Sequence, residues 1–435
     1  MNRVGTAGKE DGATQTRERI VILMLAAVQF ITIVDFMVIM PLGTQLMRNL
    51  EIGPAQFGLV VSSYTLAGGI AGLVASSLID RLERKFAFLA IDAGFLVGTL
   101  LCGLATSYYT LVFARLATGA FGGILGGMAM AIIGDVFPEE RRGRATGALM
   151  SGFAFASVAG VPFGLFLGTK FGWHIPFLLL AAVGFPIMLV AAWTLPRLRG
   201  HLTPDAAREH PLAVVVDTFT QPNHVRAFAL VVSLMFAGFV VFPYVSPYLV
   251  NNVGMSEEQL PLVFIAGGVV TLFSAPWIGR LADRYGKLRV FRIVAPASAV
   301  MTLAVTNMSG VPPWIAIALV AGVMVSNSGR MVAAMAMITS SVAPGRRGGF
   351  LSANSSVQHL ALGVGAYVGG LIVAEAADGT LQNFPILGWL SAAATISSLW
   401  LAGRLRPVTA ETETTPTQAV AAAAEAMYDA AEPLM

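Results

Sequence analysis

Twelve apolar runs, each about as long as a helix that crosses a bilayer, leave this chain few folds to adopt. A hydrocarbon core about 30 Å thick takes about 20 residues at 1.5 Å rise. Runs of that size lie near 20–45, 56–78, 87–107, 109–133, 146–170, 174–195, 227–250, 259–279, 290–308, 312–339, 350–374 and 384–403. Lipid offers no partner to an exposed peptide group, so runs of this kind are expected as helices. Only 12% of the 435 residues are charged, against about 25% in ordinary globular domains. The first run is too long for the core of a signal peptide and no small-residue cleavage site follows it, so it reads as a retained span.

The charges give the runs an orientation. Of the 27 Lys and Arg residues, 23 fall in or at the edges of the termini and even-numbered connections. Arg48 and Lys170 fall on the other side, and Arg115 and Arg330 fall inside spans. The positive-inside rule then puts both termini in the cytoplasm, and an even number of spans requires that they share a side. A net charge of +3 spread over short clusters gives no extended basic patch, which argues against nucleic acid. The single cysteine, Cys102, excludes an intrachain disulfide and a multi-thiolate metal cluster, and reads as a core residue. Residues 1–19 are expected as a cytoplasmic tail, 20–195 as one six-helix bundle, 196–226 as a cytoplasmic linker and 227–404 as a second bundle. Residues 405–435, rich in Thr, Pro, Glu and Ala, have little to bury and are expected to be disordered, with a short helix over "AVAAAAEAMYDAA" as the alternative.

The halves echo each other. "GRLADRYGKLR", Gly279 to Arg289, is a charged island between two apolar runs, and "SSLIDRLERK", Ser76 to Lys85, is its worn copy. Asp80 and Asp283 are 203 residues apart, and "FPEERRGRATG" after span four aligns with "VAPGRRGGFLS" after span ten at an offset of 205. Parallel repeats of this kind place a substrate path where the repeats meet. The expected fold is an all-α integral membrane protein of twelve helices in two pseudo-symmetric six-helix bundles. In the island, glycine permits a turn of positive φ, the carboxylate suits the positive end of a helix, and the basic residues suit an anionic surface.

Gly279, Leu281, Ala282, Asp283, Arg284, Gly286 and Lys287 fit the G-x-L-a-D-R-x-G-r/k signature, and with the twelve-span layout the chain resembles the major facilitator superfamily. In the first copy Leu78, Asp80, Arg81, Arg84 and Lys85 fit, while Ser76 and Glu83 replace the glycines. The resemblance implies a conformational latch, in which Asp80 docks at the start of span eleven and Arg84 pairs with Asp135 at the end of span four. In the second copy Ser340 stands where that acid would be, so Lys287 has no evident partner; a turn that only fixes topology is the alternative. "LVFARLATGAFGG" is similar to the family's l-x-x-x-R-x-x-x-G pattern, with Leu111, Arg115 and Gly119 in register. "GVPFGLFLG", with Gly160, Pro162, Gly164 and Gly168, resembles the glycine-proline motif of drug and sugar efflux antiporters, although Val161 precedes Pro162 and Gly164 comes early. The stretch from Ser328 to Gln358 looks like the bacterial arabinose-efflux-like branch.

An ionisable group inside a bilayer costs about 2.5–3.5 kcal/mol on insertion scales, which makes each one a functional candidate. Asp35 in span one and Arg115 in span four lie at depths about 6 Å apart, within reach of each other on facing helices. A nearby cation favours the ionised carboxylate and loss of water favours the neutral acid, so a cavity opening and closing around Asp35 would load and unload a proton. Asp35 is therefore the expected proton carrier and Arg115 its partner, a static ion pair being the alternative. Arg330, beside Asn327 in span ten, has no carboxylate in any C-terminal span and is expected at a substrate cavity or in a bond between helices. Asp92 in span three reads as interfacial. Gln358 and His359 in span eleven read as bridges between helices. Tyr244 and Tyr248, one turn apart, are expected as cavity walls or interfacial anchors.

No phosphate-cradling G-x-x-x-x-G-K-[ST] occurs and the five histidines form no metal-ligand pattern, so neither ATP nor a metal or other cofactor is expected. The reading is a bacterial inner-membrane secondary transporter rather than an enzyme. It is expected to act as a monomer, exporting a small organic solute in exchange for protons by alternating access. Proton symport or facilitated uptake, and a non-transporting receptor or scaffold, are the alternatives.

Overall fold

The computed structural model describes residues 4–78, 82–196, 198, 217–343 and 347–408. Helix one is Val4–Val38, followed by a short helix Gly43–Leu50, and helices two, three and four are Pro54–Leu78, Arg84–Leu104 and Tyr108–Val136. Helix five runs Glu139–Phe155, passes through a π turn at Ala156–Gly160 and continues as Val161–Phe171; helix six is His174–Thr194. Helix seven is broken into Pro222–Phe239 and Phe242–Asn251, and helices eight to twelve are Leu260–Tyr285, Lys287–Thr306, Pro313–Ser340, Arg347–Ile372 and Phe384–Arg404. Each predicted run therefore falls on a helix. Helix one differs in its start, since it is helical from Val4 although only Glu18–Val38 is apolar enough to span.

Among the described residues, eleven helices are long and apolar enough to cross a membrane. Helix eleven, at 26 residues, is long enough but carries Asn354, Gln358, His359 and several serines and glycines that lower its hydropathy. Asn354, Ser356, Gly363, Gly369 and Gly370 are buried against protein, and the helix packs along helix two. A Cβ on Gly69 would lie 2.7 Å from Leu360 Cγ, one on Gly363 2.6 Å from Leu66 Cγ, and one on Gly370 2.8 Å from the Pro54 carbonyl.

Local chemistry explains several helix ends and breaks. Ser107 caps helix four by accepting from Thr110 N at 3.3 Å while Thr110 Oγ1 accepts from Ser107 N at 3.0 Å, which satisfies two otherwise orphaned donors. Pro162 has no N–H to continue the helical ladder, and the π turn falls on the five residues just before the Val161–Pro162 step. Helix eight ends at Gly286, whose φ of +95° suits glycine.

The halves meet along two seams, helix two on helix eleven and helix five on helix eight, where a Cβ on Gly268 would lie 3.2 Å from Val158 Cα. At the end opposite the basic clusters they are also tied by Arg48 Nη1 to Glu257 Oε1 at 2.8 Å and Gln45 Nε2 to Glu257 Oε2 at 3.0 Å. Phe57 meets Tyr244 edge-on with ring centroids 6.0 Å apart at the same end. At the basic end, no ion pair joins the halves among the described residues; Arg84–Asp135 and Arg141–Glu18 both lie within the first half. Leu23, Phe113, Trp193, Phe273 and Trp389 stand exposed on the outer surface, as side chains that meet lipid do.

Candidate functional site: a buried ion pair in the first bundle

Helices one and four bring Asp35 and Arg115 together with both side chains fully buried. Arg115 Nη1 donates to Asp35 Oδ2 at 3.0 Å and to the Asp35 carbonyl at 3.3 Å. From helix three, Thr99 Oγ1 donates to Asp35 Oδ1 at 3.1 Å, so each carboxylate oxygen has one donor. Helix two supplies Tyr64, whose ring centroid lies 4.3 Å from Arg115 Cζ, a cation–π distance. Phe36 stacks on Tyr64 at 5.3 Å and on Phe239 of the second half at 5.8 Å, so the site reaches the boundary between halves.

Close helix crossings make the site possible. A Cβ on Gly119 would overlap the Tyr64 carbonyl, and one on Gly123 would come 2.5 Å from Gly68 Cα. Glycine at both positions lets helix four approach helix two until Tyr64 reaches the guanidinium. Cys102, a core residue as expected, sits beside this contact with its Sγ 3.6 Å from Thr118 Oγ1. Arg115 Nε and Nη2 make no hydrogen bond among the described residues. A guanidinium carries five N–H donors, so Arg115 retains unused donor capacity next to Asp35.

In the second bundle Arg330 is also buried. It donates to Thr395 Oγ1 at 2.6 Å, Asn327 Oδ1 at 2.9 Å and the Leu234 carbonyl at 3.4 Å, and Ser298 Oγ reaches the same Asn327 oxygen at 2.8 Å. Of this cluster only Asn327 lines the narrow cavity between helices seven, nine and ten, with Phe242, Thr302 and Met324. At about 20 Å³ that cavity has room for about one water.

Several expected positions are placed differently. Tyr244 and Tyr248 are not cavity walls here: their hydroxyls donate to the carbonyls of Ala366 and Met308, both at 2.6 Å. Tyr248 stacks on Phe384 at 4.1 Å, and Gly58, Gly369 and Gly370 leave the space that the Tyr244 ring fills. Both phenols are thus consumed in packing, since a buried hydroxyl needs a partner. Gly279 lies inside helix eight with nothing closer than 3.7 Å to a built Cβ, so of the two island glycines only Gly286 makes a positive-φ turn. Lys287 does have a partner, the Ala336 carbonyl at 3.1 Å. Gln358 makes one long contact, 3.8 Å to Met335 Sδ, and His359 Nδ1 makes none among the described residues.

One other expected contact forms. Arg84 Nε lies 2.7 Å from Asp135 Oδ2, joining the start of helix three to the end of helix four. Asp283 and Arg284 stand exposed on the last turn of helix eight, with Arg284 5.3 Å from the Tyr285 ring. Asp92 is buried in helix three, and its Oδ2 has no partner among the described residues. Gly160, Gly164 and Gly168 line one face of helix five, where added Cβ atoms would meet Val34 and Val38 of helix one and Leu42 in the turn that follows it. Asp80 and Arg81, most of the 196–226 linker, and the segment from 409 onward lie outside the described residues. Tyr64 and Thr99 were not evident from sequence, because a lone Tyr or Thr in an apolar run carries no signal of its own.

Two six-helix halves, the first holding a buried, glycine-framed ion pair, form the architecture of a helical membrane transporter. The chain matches the Major Facilitator Superfamily over residues 25–240 and 227–427, and it belongs to that family. The Escherichia coli K12 "Inner membrane transport protein YdhP" is 24% identical over 365 residues, covering 83% of this chain and 90% of that protein. The "Putative transporter AraJ" of the same strain is 25% identical, covering 85% and 91%. The "Probable sugar efflux transporter" of Mannheimia succiniciproducens is 23% identical, covering 81% and 90%. The match to the uncharacterized MFS-type transporter YtbD of Bacillus subtilis, at 29%, takes in 54% of this chain and 58% of that protein. A solved D-xylose-proton symporter superposes with a TM-score of 0.72 at 15% identity, covering 89% of this chain and 98% of that one, which shows the shared fold.

Proposed function

We propose that this transporter exports a small organic solute, such as a drug or a sugar, in exchange for protons by alternating access. The observation that carries this reading is the fully buried Asp35–Arg115 pair in the first bundle. Asp35 is the proton carrier and Arg115 its electrostatic partner: rocking of the halves admits water to one side of the pair and then the other, and the carboxylate loads or releases its proton accordingly. In the second bundle, Asn327 faces the cavity and Arg330 stands behind it, which makes them candidates for polar contact with the solute. The Arg48–Glu257 tie and the helix two–eleven seam are contacts that such rocking has to break. The charge bias supports cytoplasmic termini and a bacterial inner-membrane location, in keeping with the relatives named above. The protein acts as a monomer, with the bilayer and protons as its partners besides the solute.

The test is the pH inside inverted vesicles carrying an imposed proton gradient, as drugs and sugars are added to wild type and Asp35→Asn. Dissipation by some compound, lost in Asp35→Asn and kept in Asp35→Glu, supports antiport. Coupling that survives Asp35→Asn refutes Asp35 as carrier, and solute-driven proton entry in the opposite sense favours symport.

A further inference from the structure

An ion pair of the first half loses one partner in the second. Arg84 opens helix three and pairs with Asp135 near the end of helix four at 2.7 Å. The repeat offsets of 203 and 205 carry these two onto Lys287, which opens helix nine, and Ser340, which closes helix ten. The cation is kept and the acid is lost. Lys287 and Arg347, with Met335, Thr339 and Ser340, line an open groove of about 440 Å³ at the basic end. Their nitrogens donate only to backbone carbonyls, Lys287 to Ala336 at 3.1 Å and Arg347 to Val342 at 3.3 Å, and neither forms an ion pair among the described residues.

The chain returns to this groove after helix twelve. Val408 N donates to the Ser340 carbonyl at 3.0 Å. Asn223 holds the same strand in place, donating to the Ser341 carbonyl at 2.8 Å and the Arg406 carbonyl at 2.9 Å and accepting from Arg406 N at 3.1 Å. Residues 409–435 contain Glu411, Glu413, Glu425, Asp429 and Glu432 and no Lys, Arg or His. Glu411 and Glu413 follow Val408 by three and five residues, a reach of about 10 and 17 Å of extended chain.

We propose that Glu411 and Glu413 dock in the Lys287–Arg347 groove, supplying from the chain's own C-terminal segment the acid that Asp135 supplies in the first half. The segment starts at the rim of the groove and its charge complements the two cations. Tethering also holds its carboxylates there at an effective concentration of about millimolar. Docking ties the segment after helix twelve to helices nine, ten and eleven, and it depends on neither the solute nor the direction of transport.

The test uses the full chain with Cys102→Ala, Thr339→Cys and Thr412→Cys in phosphatidylcholine nanodiscs, and follows the rate of disulfide formation under mild oxidation. A monomer-sized crosslinked product is expected. Its rate should fall about five-fold or more in Lys287→Gln/Arg347→Gln and equally in Glu411→Gln/Glu413→Gln, as befits two partly exposed ion pairs. The glutamate variant alters no residue of helices nine to eleven, so its effect is independent of their folding. No crosslink, a dimer-sized product, or a rate unchanged by either double substitution would overturn the proposal. Loss of the crosslink on adding phosphatidylglycerol would also overturn it and assign the groove to a lipid phosphate.

Discussion

Replacing Asp35 by Asn tests whether the buried pair is ionised, because Asn keeps the shape and removes the charge, while turning one acceptor oxygen into an NH2 donor that the Thr99 hydroxyl can face by rotating to accept. With Nη1 and Oδ2 at 3.0 Å, an effective dielectric constant of about 20 gives a Coulomb attraction of about 5.5 kcal/mol. Breaking a buried pair by removing one partner costs about 3–5 kcal/mol, mostly because the other charge is left uncompensated. Arg115 would keep part of its surroundings, the Asp35 carbonyl at 3.3 Å and the Tyr64 ring at 4.3 Å. A cation–π contact in a desolvated site contributes about 2 kcal/mol. The expected loss is therefore about 1–3 kcal/mol, read as a shift in unfolding by SDS in mixed micelles. Combining Asp35→Asn with Arg115→Gln removes the orphaned charge, so the double variant should recover at least about 1.5 kcal/mol relative to additivity. A loss below about 1 kcal/mol, with additivity within about 0.5 kcal/mol, would refute the reasoning, since it would mean that the carboxyl is already neutral in the resting protein.

Gly119→Ala is expected to destabilise the fold by about 2 kcal/mol or more, because its Cβ would overlap the Tyr64 carbonyl and neither helix backbone can yield cheaply. Gly127→Ala on the same helix meets nothing within 4 Å and should stabilise by about 0.5–1 kcal/mol, so thermal unfolding of the two variants in parallel separates sterics from helix propensity. Arg84→Gln should cost at most about 1 kcal/mol, since the Arg84 and Asp135 side chains are 15% and 29% exposed, and the loss should shrink as salt is raised. Tyr244→Phe deletes the donor to the Ala366 carbonyl and should cost about 1–2 kcal/mol by the same unfolding assay, with the ring packing preserved.

Hydropathy located the twelve long runs because a bilayer imposes one length and one polarity on whatever crosses it, whereas the short helix Gly43–Leu50 and the break in helix seven carried no such signal. Asp35 and Arg115 were legible for the same reason: a charge in a span is costly enough to be rare, and two at similar depth have each other as the natural partner. Tyr244 and Tyr248 were not, because hydroxyl placement depends on which carbonyl the neighbouring helix offers, and that is set by crossings over Gly58, Gly369 and Gly370 far away in sequence. Glycine itself was the ambiguous letter. Gly286 serves its backbone angle, Gly119 serves a helix crossing, and Gly279 serves neither in this structure, although the repeat pattern marks Gly279 and Gly286 alike. The same motif position can thus hold for different physical causes, and only the packed neighbours distinguish them. Lys287 makes the point for charge: pattern alone left it without a partner, whereas the fold gives it the Ala336 carbonyl, an acceptor that every residue carries and no side-chain pattern records.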